Sequence, residues 1–441
     1  MASAHEIDKD KLIELFKNVD SSFQKLLITC SWLAPNEKIP LDLMMLVSGI
    51  DQQEEIKQKL SFLVSMNFLD RSKGEYLMTS KVSSLIQEIA NPLQKRELLQ
   101  ATSRAMHSII NPLENLDEFE PYQSHTEKLA QQGQINKIAA AGLLFGILGR
   151  FKLQSGENEE AVKFIRRALL IVEKVSGVDS VEHTENLNSL GSAMHRMGRF
   201  EDAKKCFEQA IIIDKKILGK EDPAVAVGHN NLGQVLIDMN VLDGAIIHLE
   251  KALEINTKIF GNQHYLVASG HYNLGMALLS IGDLPRARAQ LELSLAKRKE
   301  NYGGNHPEVA EAEHGLGMIL QTIGNTSGAE NHYLNAVKIF ESYNTPGNLK
   351  LAASYMNLGG IYHLEGAGEK AKDYYLKALS IFETILPESD KNIRDLKLQL
   401  QLIEVGMTMP ELLEKMEAGA DLPSELIEVL NQSFADEKAQ D

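Results

Sequence analysis

A Leu-Gly pair recurs along this chain at an interval that never varies. Leu148-Gly149, Leu190-Gly191, Leu232-Gly233, Leu274-Gly275, Leu316-Gly317 and Leu358-Gly359 stand 42 residues apart, with no insertion or deletion across six copies. Seven residues after each glycine comes a second small or turn-forming residue: Gly156, Gly198, Asn240, Gly282, Gly324 or Gly366. Five further on lies Ala161, Ala203, Ala245, Ala287, Ala329 or Ala371, and seven beyond that Ala168, Ala210, Ala252, Ser294, Ala336 or Ala378. Columns that keep phase this well mark a chain built by repetition. Its fold must be one in which each unit buries apolar surface against its neighbours.

Each unit reads as two antiparallel helices. The leucine before the first glycine and the residues two and three after it (Val235 and Leu236, or Ile319 and Leu320) form one buried helical stripe. The fixed glycines and alanines remove side-chain bulk where two helix backbones approach. The second glycine or asparagine closes the first helix in a left-handed cap. A further column, Gly177, Gly219, Gly261 and Gly303, ends the second helix; Asp222-Pro223 and His306-Pro307 then supply a cap and a first-turn proline to restart the pattern.

These columns resemble the tetratricopeptide repeat, whose Leu-Gly, Gly and paired Ala positions they match. The period exceeds the usual value of about 34 residues and resembles that of kinesin light chains, as does the Gly-x-x-His-Pro-x-x-Ala junction at Gly303 to Ala310. The resemblance implies an all-α fold, a right-handed superhelical solenoid of antiparallel helix pairs. Six repeats are expected over residues 137–387, continuing without a hinge through the altered junction Thr345-Pro346-Gly347.

Residues 1–90 follow a different pattern. An apolar helix, Phe23 to Leu33, precedes a second opened by Ile39-Pro40-Leu41 and a third from Glu54 to Met66; Phe68 to Met78 then reads as a two-stranded wing turning at Ser72-Lys73-Gly74. Leu33-Ala34-Pro35-Asn36, Ile39-Pro40-Leu41 and Tyr76-Leu77-Met78, followed by a helix from Val82 to Ile89, resemble the winged-helix module of NB-ARC-type signalling ATPases. Thr79 and Ser80 stand where those proteins usually place a histidine. Residues 91–136 form a helical connector, with helices from Pro92 to Ile110 and from Glu120-Pro121-Tyr122 to about Gln132. Residues 388–441 supply a capping helix, Ile393 to Val405, and an acidic tail with amphipathic segments at Pro410 to Glu417 and Pro423 to Leu430.

The chemistry expected of the chain is recognition rather than catalysis. No Gly-x-x-x-x-Gly-Lys-Ser/Thr loop, His-Glu-x-x-His motif, nucleophile elbow or kinase signature occurs, so the reading is a non-enzyme without cofactor or metal. His264 and His306 read as helix caps, and His229 and His271 as packing residues between repeats. Cys30 and Cys206 read as small core residues, and Glu221-Asp222 as a solvated capping pair. A net charge of −16, with 10 Lys/Arg against 13 Asp/Glu in residues 1–90, makes nucleic acid an unexpected partner. The most apolar run, Ile138 to Leu148, is too short to span a bilayer, and a cytoplasmic location is expected.

If the stripe around each Leu-Gly is buried, residues three before and one and four after the glycine line a concave groove, with the residue two before at its edge. The edge column reads Ile147, Ser189, Asn231, Asn273, Gly315, Asn357; one residue earlier it reads Gly146, Asn188, Asn230, Tyr272, His314, Met356. Asparagine is mildly unfavourable inside a helix, and its amide both donates and accepts, which suits an extended peptide backbone. The resemblance implies that role for Asn231, Asn273 and Asn357; the competing reading is that they bridge neighbouring helices. Arg150, His195, Arg196, Gln234, Asp238, Met276, Met318 and His363 complete the candidate groove. The sequence therefore predicts a protein-protein interaction adaptor that holds a peptide or partner protein in its repeat groove. Two alternatives stand beside it: a peptide-responsive DNA-binding regulator, and a sensor working with a separate signalling NTPase.

Overall fold

The computed structural model describes residues 9–427 apart from 67, 73–74, 114, 344–346, 419–421 and 424–425. The Lys73-Gly74 turn, Thr345-Pro346 and most of the segment from Pro423 to Leu430 thus lie outside the described residues. The chain forms two compact units, Met1–Met239 and Asn240–Asp441, divided between the helices of the third repeat.

In the first unit, α1 (Lys9–Asn18), α2 (Ser21–Trp32), α3 (Leu41–Ser48) and α4 (Gln53–Ser65) precede an antiparallel hairpin, β1 (Asp70–Ser72) and β2 (Glu75–Leu77), and then α5 (Ser80–Ile89). Three helices and a wing are present as expected. The wing also has a third partner the sequence did not announce: Lys38 bridges Leu77, and Ile39 N donates to Tyr76 O at 3.0 Å. Thr79 caps α5, accepting from Val82 N at 3.4 Å.

The connector is α6 (Pro92–Ile110) and α7 (Leu116–Ile135). The second helix starts earlier than its proline implied, because Asn115 caps it, accepting from Glu118 N at 2.9 Å; Pro121 therefore lies inside the helix. His125 ties α7 to the winged module: its Nδ1 accepts from Ala34 N at 3.0 Å and its Nε2 donates to Lys38 O at 2.7 Å. One apolar core runs without interruption from Leu12 through the connector to Ala168, and includes Phe119 stacked on Phe151 at 3.9 Å.

Four repeat helices and the first helix of the third repeat complete this unit: α8 (Ala140–Gln154), α9 (Asn158–Val175), α10 (Val181–Arg196), α11 (Phe200–Ile217) and α12 (Pro223–Asp238). The second unit comprises α13 (Leu242–Phe260), α14 (Tyr265–Ser280), α15 (Leu284–Tyr302), α16 (Pro307–Thr322), α17 (Thr326–Tyr343), α18 (Leu349–Leu364), α19 (Gly368–Ile385), α20 (Lys391–Glu404) and α21 (Met409–Glu417). Consecutive helices pack from α8 to α12 in the first unit and from α13 to α20 in the second.

The sequence columns acquire their physical meaning here. A Cβ at Gly191 would lie 2.7 Å from the Phe207 ring, one at Gly317 2.7 Å from Tyr333, and one at Gly359 2.6 Å from Tyr375. The six Ala161-type positions are fully buried. The turn column is left-handed throughout, including Asn240 at φ 58°. Gly347 takes φ 69° beside the remade junction, and Tyr333 and Val337 of α17 share a core with Ala352 and Leu358 of α18, so packing continues past it. His264 and His306 cap α14 and α16, and Asp222 caps α12. At the chain's far end, Leu398 and Leu402 of α20 form a small core with Met407, Leu412 and Leu426.

Candidate functional site on the repeat faces

In the first unit, α8, α10 and α12 present one face, closed at one end by the last turn of α6. A cavity of about 410 Å³ opens there, walled by His107 and Asn111, by Gly146, Ile147 and Arg150, by Glu182, Glu185, Asn186, Asn188 and Ser189, and by Ala224 and Val227. Arg150 Nη2 donates to Asn111 O at 3.1 Å. Partial burial, opposed by Glu185, lowers the affinity of Arg150 for its proton, and burial with Arg150 nearby holds His107 below the usual histidine range. Asn188 Oδ1 is buried without a hydrogen-bond partner.

One turn beyond Val227, Asn231 and Gln234 continue along α12. Both are half-buried, and neither side chain makes a hydrogen bond among the described residues. Asn230 is already engaged by another group. The lower rim is used structurally. His195 Nε2 lies 2.5 Å from Asp238 Oδ2, joining α10 to α12, and Arg196 Nη1 donates to Leu153 O at the end of α8.

The second unit treats the candidate residues unevenly. Asn357 of α18, in the same register as Asn231, is half-buried and unbonded among the described residues, whereas Asn273 is engaged. Tyr272 is clamped in a charged network: Arg298 lies 4.4 Å and Lys350 5.6 Å from its ring centre, Arg298 Nη2 pairs with Glu308 at 2.7 Å, and Lys350 pairs with Glu311. Burial pushes the Tyr272 phenol up to about 12. His314 is buried; Ser354 Oγ donates to Lys350 O, so His314 Nδ1 carries the proton and donates to Ser354 Oγ at 2.8 Å. Burial, helped by Lys350, lowers its pKa to about 4 and keeps it neutral. His363 is buried too, its Nε2 donating to Met407 O at 3.0 Å beneath the start of the C-terminal segment. Met276 and Met318 are half-buried.

Of the three positions without asparagine in the edge column, Ile147 and Gly315 have packing causes. Ile147 is 4% exposed and belongs to the core shared with the connector. At Gly315 a Cβ would meet Leu291 Cδ1 at 2.9 Å and Met276 Sδ at 3.3 Å, leaving no space for an amide. Sequence reasoning missed Glu182, Glu185 and Asn186, which extend the α10 face one to two turns towards its N-terminus. Following the helical period backwards from Asn188 would have found Glu185; the closing wall from α6 has no local signal.

Tetratricopeptide-repeat family matches cover residues 140–216, 182–258, 224–300, 266–342 and 310–384, more than half of the chain. The protein belongs to the tetratricopeptide-repeat family, whose repeats typically mediate protein and peptide interactions. A solved signal-transduction ATPase with numerous domains and a tetratricopeptide-repeat sensor, from Pyrococcus horikoshii, shares 15% identity and a TM-score of 0.63, over 92% of this chain and 57% of that one. BtubC of P. vanneervenii is 23% identical over 56% of this chain and 92% of its own, with a TM-score of 0.44. A Rap protein complexed with competence and sporulation factor is 16% identical over 80% and 98%, with a TM-score of 0.46. Among curated proteins no sequence match was found. No helix of the described residues is long and apolar enough to cross a membrane.

Proposed function

We propose that the protein is a non-catalytic adaptor that binds an extended peptide, or an extended segment of a partner protein, on its repeat faces. The observation that carries this is the pair Asn231 and Asn357: equivalent in register, half-buried, and free of side-chain hydrogen bonds among the described residues. Half-burying an unbonded amide inside a helix is costly, and a peptide backbone offers the missing donor and acceptor. Gln234, one turn from Asn231, supplies a second free amide. Peptide-array binding with the full chain tests the reading. Asn231→Ala should weaken binding by roughly 1–2 kcal/mol, about ten-fold in Kd, with little loss of stability because alanine is the better helix former. If Asn231→Ala spared binding and destabilised the fold, the asparagine would be structural and the reading would fall.

The winged module is proposed to place the adaptor rather than to bind DNA. Its third helix, α4, carries two lysines, and both are committed to carboxylates: Lys59 to Asp20 at 3.2 Å and Glu55 at 3.6 Å, Lys57 to Glu54 at 3.9 Å. That helix therefore keeps no uncommitted lysine to displace the counterions of a duplex. A second reading, a sensor acting with a separate NTPase, draws on the likeness of fold to the sensor-bearing ATPase above. Recovery of an NTPase with the tagged full chain would favour it.

A further inference from the structure

The cavity on the first unit's repeat face is rich in acceptors that stay without a hydrogen bond among the described residues. Glu182 and Glu185 stand three residues apart on α10, hence on one side of that helix, and neither carboxylate makes a hydrogen bond or ion pair among the described residues. Asn186, one turn after Glu182 on the same helix, is 6% exposed. Its Nδ2 is spent on Glu182 O at 2.6 Å, and its Oδ1 has no partner. That oxygen stands directly over Gly146 of α8, where a Cβ would sit 2.8 Å from it. Any other residue at 146 would cover the oxygen, so the glycine keeps an acceptor open on the cavity floor.

Among the described lining residues the one arginine or lysine is Arg150, which is directed to Asn111 O and makes no ion pair with either glutamate. Burial first, and Arg150 second, lower the pKa of His107, against Glu182. The walls also dehydrate the Glu185 carboxyl although solvent reaches it; this burial first, and Glu182 second, raises its pKa against the pull of Arg150. Two carboxylates and an amide oxygen thus face a site short of positive charge. Leu143, Ile147 and Val227 provide an apolar lining beside them.

We propose that this cavity receives an arginine side chain of the bound peptide, with the guanidinium on Glu182, Glu185 and Asn186 Oδ1 and the methylene stem against the apolar wall. A guanidinium suits three acceptors spread along α10 because its five N–H groups form a planar fork, whereas an ammonium is a compact point charge. The stem packs where long basic side chains usually pack. The inference rests on the peptide-binding reading and adds to it the chemistry of one ligand position.

The test is selection of random 12-residue peptides displayed on phage against the full-length chain, in parallel with Glu182→Gln/Glu185→Gln and Asn231→Ala. Both glutamates border solvent, so the double variant should keep the wild-type melting temperature. Arginine should be enriched at one position with the wild type and lose that enrichment with the double variant. A selected arginine peptide should bind the double variant about ten-fold or more weakly, and its Arg→Gln version should bind both proteins alike. Enrichment without arginine, the same arginine preference in the double variant, or equal capture of lysine or of a free amino terminus would overturn the inference while leaving peptide binding in place. If Asn231→Ala selected the same arginine peptides with equal affinity, the asparagine contact would fall and the arginine site would stand. Failure of any peptide to enrich on the wild type would refute both.

Discussion

Replacing Gly317 with alanine should destabilise the second unit, although alanine is the better helix former. The new Cβ would lie 2.7 Å from Tyr333 Cε1, 2.8 Å from Cδ1 and 3.0 Å from Cζ. The ring cannot swing away freely: it is fully buried, and its hydroxyl donates to Gln321 Oε1 at 2.8 Å on the same helix as Gly317. Ordinary contact needs several tenths of an ångström more, so the strain belongs at the upper end of the overpacking range, about 3 kcal/mol. Helix propensity returns about 1 kcal/mol, leaving a net loss of about 2 kcal/mol. For a unit of this size that lowers Tm by roughly 4–8 °C. Gly304→Ala is the control, because nothing lies within 4 Å of a Cβ there; it should change stability by less than about 0.5 kcal/mol. Circular dichroism melts of the two variants decide the matter. Equal melting temperatures would show that the glycine column is not maintained by helix contact, and Tyr333→Phe in the Gly317→Ala background should recover part of the loss by releasing the ring.

Asp214 is fully buried on α11 with neither oxygen hydrogen-bonded, since the neighbouring Thr184 hydroxyl donates to Val181 O at 3.0 Å; burial first, and Asp222 as well, raises its pKa. The folded state therefore holds this proton more tightly than the unfolded chain. Stability from this group is complete below the ordinary aspartate pKa of about 3.9 and is lost as pH rises through the higher folded value. Urea unfolding of Asp214→Asn across that window should show the variant gaining on the wild type with rising pH, by about 1–3 kcal/mol at the plateau; parallel curves would refute it. Deleting residues 407–441 should uncover Leu398 and Leu402 and leave His363 Nε2 without the Met407 carbonyl, costing about 3 kcal/mol or more. An unchanged melting temperature would show that the segment does not seal the last repeat.

What could be read in the sequence was whatever one repeat decides locally. The glycine and alanine columns report contacts between helices adjacent in the chain, and the capping role of His306 needs only the three residues around it. What escaped reading depends on distant partners. Lys38 joins the wing because Leu77 lies beside it in space, and α7 begins at Leu116 because Asn115 caps it, which outweighed the signal from Pro121. Among the candidate groove residues, position on the face was predictable but prior engagement was not. Tyr272 and His314 belong to the right stripe, yet Arg298 and Ser354 already hold them. Asn231 and Asn357 have no such neighbour, and nothing in their own helices distinguishes them from Asn273.

α6 and α7 share a core with the first repeat, α20 packs on the last, and α21 packs on α20, so among the described residues both ends of the repeats are covered. Repeats cannot be appended at either end without breaking a specialised joint. Lengthening is possible only from within, by copying a whole 42-residue module between two existing ones. Such a copy would leave both seals intact and bring its own position at the face, asparagine or otherwise. If the proposed peptide binding holds, the seals at the two ends of the repeats make inserted modules of 42 residues the unit by which such a face can be lengthened.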